Sequence, residues 1–181
     1  FEALVRWRLE GSEVSASELV SVAEESGLIC ELGYQVLEKA LGVMARMKRD
    51  GLAPGHVAFN ASSAQLLQPD FPQRLMDMVD RHGLCGSDIE IEVTENVMLD
   101  RSADVIAAML RGLHDRGVSV ALDDFGTGYA SLTHLKQFPI DRLKIDRSFV
   151  QGILDEKDDG IIVRTIISLA HSLGCEVVAE G

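Results

Sequence analysis

Val118-Ser-Val-Ala-Leu-Asp-Asp-Phe-Gly-Thr-Gly-Tyr-Ala-Ser-Leu132 runs from an apolar strand into two adjacent carboxylates and then into a glycine-punctuated loop. Neighbouring aspartates repel each other. A fold that sets Asp123 and Asp124 at the mouth of a core strand therefore requires a cation to offset them. A helix N-cap after a βα turn would account for one aspartate. Two in succession, followed by Phe125-Gly-Thr-Gly128, point instead to a functional site.

Around this stretch, strand and helix patterns alternate. Phe1 to Arg8 alternates as a strand, with Glu2, Leu4, Arg6 and Arg8 on one face. Ser17 is placed to cap a helix from Glu18 to Ser26, and a second helix spans Leu28 to Arg49, with Leu32, Val36, Ala40, Val43 and Met47 on its apolar face. His56–Asn60, Asp88–Glu95, Arg142–Asp146 and Cys175–Glu180 read as further strands; Phe71–His82, Ser102–Arg116, Ser131–Gln137 and Asp159–Leu173 read as helices. This rhythm means a parallel sheet, either doubly wound or closed as a barrel.

Polar residues at strand ends favour the barrel. Asn60, Glu92, Asp123, Asp124, Asp146 and Glu180 lie at or near the C-terminal ends of their strands. A barrel gathers those ends around one mouth, whereas an open sheet spreads them along an edge. Glu2 sits at the beginning of its strand, so joining the same cluster predicts an antiparallel first strand. Six strands do not close an eight-stranded barrel, and the expectation is one further strand before residue 1 and one after residue 181.

Composition narrows the partners. Seventeen Lys and Arg against 29 Asp and Glu give a net charge of -12, which disfavours nonspecific binding to a nucleic-acid polymer or an anionic membrane. No apolar run approaches a membrane span, and no signal-peptide pattern opens the chain. Cys30, Cys85 and Cys175 have no zinc spacing and read as reduced core thiols, as expected in the cytoplasm. Met44 and Met47 read as core packing, and the five histidines as surface or core filler.

In chain order, Glu2-Ala-Leu4, Asn60-Ala-Ser62, Glu92-Val-Thr-Glu95, Asp123-Asp-Phe-Gly-Thr-Gly128, Leu143-Lys-Ile-Asp146 and Val178-Ala-Glu-Gly181 closely resemble the motifs of the EAL-domain phosphodiesterases. The resemblance covers residues 1–181. It implies a TIM-like (β/α)8 barrel, with one antiparallel strand and both ends truncated here. It also implies hydrolysis of the bacterial second messenger cyclic di-GMP to linear pGpG, with two Mg²⁺ or Mn²⁺ ions at the barrel mouth.

Matching motif by motif, the resemblance implies that Glu2, Asn60, Glu92 and Asp123 bind a first metal. Asp123 would bridge to a second that Asp124 also binds, with Asp146 nearby. Lys144 would hold the attacking water, and Glu180 would be general base or ligand. Glu95 would anchor the loop from Phe125 to Leu132, and Arg6 is a candidate phosphate contact. Glu90 shares a face with Glu92 but sits one pleat deeper, which favours Glu92 as ligand. Alternatively, Lys144 and Asp146 could form a simple buried ion pair. The resemblance further implies sensory or GGDEF domains elsewhere in the parent chain, a homodimer as a candidate assembly, and a parent that can be anchored to the inner membrane.

Two departures stand out. Arg8 is followed by Leu9-Glu10 where the family usually has His-Pro, and the further glutamate and glutamine that the family supplies downstream of Glu180 do not occur in these 181 residues. The expectation is that this stretch by itself can lack activity. A non-catalytic cyclic di-GMP receptor is the chief alternative, but such receptors usually carry a broken first motif or aspartate pair, and both are intact here. Metal-assisted enolisation at a carboxylate-lined barrel mouth is a third candidate, and Asn60 with the Asp-Asp-Phe-Gly-Thr-Gly loop argues against it.

Overall fold

The computed structural model describes residues 1–126, 128, 132–153 and 157–180, with Lys157 as backbone only. It comprises two compact units, Phe1–Ile91 and Glu92–Gly181. The expectations for Thr127 and for residues 129–131 and 181 lie outside the described residues.

The first unit opens with a correction. Residues 1–8 are not one strand. The Ala3 amide donates to the Ala58 carbonyl at 2.8 Å and the Ala58 amide donates to the Phe1 carbonyl at 2.7 Å, a parallel bridge that sets Glu2 beside Ala58. One residue bonding to both flanks of its partner is the parallel pattern. The antiparallel direction assumed that Glu2 began an eight-residue strand. The true strand there is the separate β1, Trp7–Leu9, in an antiparallel hairpin with β2, Ser12–Val14. Glu10 and Gly11, at φ 50° and 89°, form its two-residue turn, in the positive-φ conformation that matches strand twist.

Helix α1, Ala16–Glu25, is capped by Ser15 rather than Ser17; the Ser15 hydroxyl accepts from the Glu18 amide at 3.2 Å. Helix α2, Ile29–Arg49, buries Tyr34, Leu37, Leu41, Met44 and Ala45. The expected stripe through Leu32, Val36, Ala40, Val43 and Met47 instead lines an apolar cleft of about 860 Å³ beside residues 1–7. The helix thus carries two apolar faces, and periodicity alone picked the shallower one. Strand β3, Val57–Asn60, is followed by α3, Ser63–Leu66, and α4, Phe71–Arg81, and β4, Ile89–Thr94, lies beside β3 in sheet order.

From Glu92 onward, the second unit orders β4, β5 (Ser119–Phe125), β6 (Arg142–Ile145) and β7 (Glu176–Ala179), with β5–β6 and β6–β7 parallel. Helices α5 (Glu95–Leu99), α6 (Ala103–His114), α7 (Leu132–Leu135), α8 (Arg147–Gly152) and α9 (Lys157–Leu173) connect them. Alternation sets Glu90 and Glu92 on the face of β4 opposite Ile89, Ile91 and Val93, and all five are buried. Carboxylates hidden on a core strand need counter-charges, and Glu90 meets His56 at 3.4 Å. The cysteines divide: Cys175 is buried, Cys30 half-buried and Cys85 exposed, because Cys85 lies in the connection before β4 rather than on a packed face. No helix among the described residues is long and apolar enough to cross a membrane.

Candidate functional site

In the second unit the site is built on an irregularity in β5. Leu122 pairs with Leu143 and Phe125 with Ile145, so Asp123 and Asp124 together stand opposite the single residue Lys144. In a regular strand, adjacent side chains point to opposite faces; a bulge breaks that rule and re-aims one of them. Asp124 takes φ 53°, rare outside glycine, and its amide donates to Asp123 Oδ1 at 3.0 Å. The bulge is how two neighbouring carboxylates come to share one mouth.

Lys144 enters this cluster from β6. Its ammonium lies 2.8 Å from Glu92 Oε1, 3.0 Å from Asp123 Oδ1 and 2.8 Å from Glu180 Oε1. Burial alone would favour the neutral amine. Hydrogen bonds to Glu180 and Glu92, the Glu92 charge and the Asp123 bond outweigh it and hold the pKa above its ordinary value. Lys144 is therefore a fixed cation and donor at neutral pH.

Asp123, Asp124 and Glu180 each offer an oxygen within 4.8 Å of one another, a donor set and spacing that fit a hard divalent cation. Asp124 is exposed as a residue, but its carboxyl is partly enclosed. Desolvation first, then the Asp123 charge, the Asp146 hydrogen bond and charge and the Glu180 charge, push it up to about 6. A cation would reverse that balance. Asp146, just past β6, caps α8: its carboxylate accepts from the Ser148 amide at 2.9 Å and from the Ser148 hydroxyl. Those bonds hold Asp146 below the usual carboxylate range, so it accepts from Asp124.

Glu95, the first residue of α5, is buried, and its Oε1 accepts from the Gly126 amide at 2.7 Å. Gly126 sits at φ 106°, and a Cβ on Gly128 would overlap the Glu95 carboxylate. Both glycines are thus required by the loop's geometry.

Within the first unit, Asn60 at the end of β3 donates from Nδ2 to Glu2 Oε1 at 2.9 Å, so these two expected ligands adjoin each other. Arg6 is exposed and donates to the Val5 carbonyl. In the second unit, Lys144 draws together Glu92, Asp123 and Glu180, while Asp124 and Asp146 face each other. Sequence reasoning missed α8 and its residues Ser148 and Phe149. The signal was present in Asp146-Arg-Ser148, an aspartate placed to cap the helix that follows.

The family model for the EAL domain matches residues 1–181. An uncharacterised protein of Azorhizobium caulinodans is 42% identical over 186 residues, spanning 100% of this chain and 25% of that protein. The bifunctional diguanylate cyclase/cyclic di-GMP phosphodiesterase MucR of Pseudomonas aeruginosa is 36% identical over 181 residues, covering 99% of this chain and 26% of its own length. The solved PaMucR phosphodiesterase in complex with c-di-GMP superposes with a TM-score of 0.92 at 36% identity, covering 99% of this chain and 73% of that one. The chain thus spans about a quarter of the length of these curated relatives. The likeness places it in the TIM-like α/β barrel class expected from its strand-end carboxylates.

Proposed function

Because the chain belongs to the EAL domain family, we propose that it binds cyclic di-GMP and, in its full parent protein, hydrolyses it to linear pGpG. The observation that carries this reading is the Lys144 ammonium held by Glu92, Asp123 and Glu180 beside a fourth carboxylate, Asp124. A cation-ready carboxylate cluster with a permanently charged hydrogen-bond donor at its centre suits attack on a phosphodiester better than it suits enolisation.

Glu92, Asp123, Asp124 and Asp146 are the proposed metal ligands of the second unit, and Glu2 and Asn60 those of the first. Two Mg²⁺ or Mn²⁺ ions would supply Lewis acidity at phosphorus and a more acidic water at neutral pH. Lys144, kept protonated, orients the attacking water by hydrogen bonding and offsets charge that builds on the phosphoryl oxygens. Glu180, whose Oε1 lies 2.8 Å from Lys144 Nζ, is proposed to accept the proton that water gives up. Water oxygen bonds to phosphorus, the bond from phosphorus to the 3′ oxygen breaks, and that oxygen leaves with a proton, giving a 5′-phosphate and a 3′-hydroxyl. Asp124 loses its proton near pH 6 and so is available as a carboxylate at physiological pH. Arg6 is proposed to contact a phosphate. The acidic balance of -12 is no obstacle, because bound cations invert the local field.

The test is to measure cyclic di-GMP binding by calorimetry and pGpG formation by chromatography in the same Mg²⁺- or Mn²⁺-containing sample. Binding with turnover supports the enzyme. Binding without turnover in the full parent protein would make the domain a receptor, and the absence of both binding and turnover would overturn the reading.

A further inference from the structure

We propose that Phe149, on helix α8, is a positioning residue for the Asp123–Asp124 pair, acting through Gly126. The proposal rests on the reading of those aspartates as metal ligands, and it concerns what holds them rather than what they bind.

The bulge is not self-supporting. Asp124 at φ 53° is a left-handed non-glycine residue, a conformation that persists only where the surroundings enforce it. Two residues on, Gly126 turns the chain at φ 106°. One side of this turn is tied by the bond from the Gly126 amide to Glu95. On the other side stands an apolar wall. A Cβ built on Gly126 would lie 2.9 Å from Phe149 Cε2, 3.3 Å from Ile166 Cδ1 and 3.5 Å from Phe149 Cζ. The backbone therefore runs directly against the ring, with a glycine because nothing larger fits.

Helix α8 is itself aimed by the site. Its N-cap, Asp146, directly follows Ile145, the residue paired with Phe125, and holds the first turn through Ser148. The Phe149 amide donates to the Asp146 carbonyl at 3.2 Å. Strand β6 thus delivers Lys144 to the carboxylates and, five residues later, the ring that presses the turn beyond them into place. Phe149 is half-buried, so shortening it removes the wedge without opening the main core.

The experiment compares wild type with Phe149→Ala and Phe149→Leu, using amide hydrogen exchange on the metal-free chain and Mn²⁺ titration by calorimetry. In F149A the Gly126 amide should exchange about 10-fold faster while Leu143 and Val177, inside β6 and β7, keep their protection. Mn²⁺ affinity should fall about 10-fold in F149A, and F149L should recover most of both effects. Unchanged exchange at Gly126, or exchange accelerated equally throughout β6 and β7, would overturn the proposal. A wild-type chain that bound no Mn²⁺ would remove the metal-site reading, and the exchange comparison would still decide the role of Phe149.

Discussion

Lys144 Nζ lies 2.8 Å from Glu92 Oε1, a contact that passes over the intervening strand β5 and encloses Asp123 on the way. The ammonium thereby gathers carboxylates from β4, from β5 and from the residue that follows β7. In the metal-free protein it is the charge that makes their proximity tolerable.

Removing it should therefore cost stability. Lys144→Met leaves buried Glu92 and Asp123 without their cation, and the loss should be about 3 kcal/mol. The sign is consistent with pH. A raised lysine pKa gives stability that is fully present below 10.5 and fades only in strong alkali, so the loss should appear across the neutral range. Mn²⁺ should raise the unfolding midpoint of K144M more than that of wild type, since the ion takes over the missing charge. Thermal unfolding with and without Mn²⁺ checks this.

Asp124 should behave in the opposite way. Its folded pKa of about 6 exceeds the ordinary 3.8, so its charge destabilises the metal-free fold. That penalty is absent below 3.8, grows between 3.8 and 6 and is complete above 6. Asp124→Asn should stabilise the metal-free protein above pH 6 by on the order of 1 kcal/mol, after allowance for solvent screening. The same change should lower Mn²⁺ affinity. In wild type, Mn²⁺ affinity should drop as pH falls through about 6, because the carboxyl must lose its proton to bind. Calorimetric titrations across that range show whether it does.

Glu95 contributes through the loop. Glu95→Ala removes the acceptor for the Gly126 amide but no ligand of the Asp123–Asp124–Glu180 cluster. Mg²⁺ affinity should weaken about 10-fold. Unchanged affinity would reduce the Gly126 loop to a plain turn.

An ion pair in the first unit offers a control on stability. Asp88, before β4, accepts from Lys48 at the end of α2, and also from the Cys85 amide. Burial raises its pKa, but these bonds outweigh that and leave it below 3.8. Its stabilisation is thus present above 3.8 and lost as pH falls through the lower folded value. Asp88→Asn should lower the unfolding midpoint at neutral pH, and the difference from wild type should close in acid, with no effect on Mn²⁺ affinity.

Much of this was legible in the chain. The apolar runs of β3, β5 and β6 and the periodicity of α2, α4, α6 and α9 mark their elements, since burial on one face writes itself into residue spacing. Chemistry-bearing residues at strand ends were legible for the same reason. What periodicity does not encode is backbone pairing. It cannot give the parallel bridge of Glu2 to Ala58 or the bulge that lets Asp123 and Asp124 share a side, because both are hydrogen-bond patterns between distant segments. The Glu10-Gly11 hairpin was hidden by strands of only three residues. Helix α8 was hidden by its brevity, although Asp146 announces it.

The central claim is water-driven cleavage of cyclic di-GMP at the Lys144 cluster, and isotope tracing in the full parent protein tests it most directly. Turnover with Mn²⁺ in heavy-oxygen water should place one labelled oxygen in the 5′-phosphate of pGpG, and Asp123→Ala should abolish the product. Absence of pGpG from the wild type, or equal labelling and rate in D123A, would contradict the account.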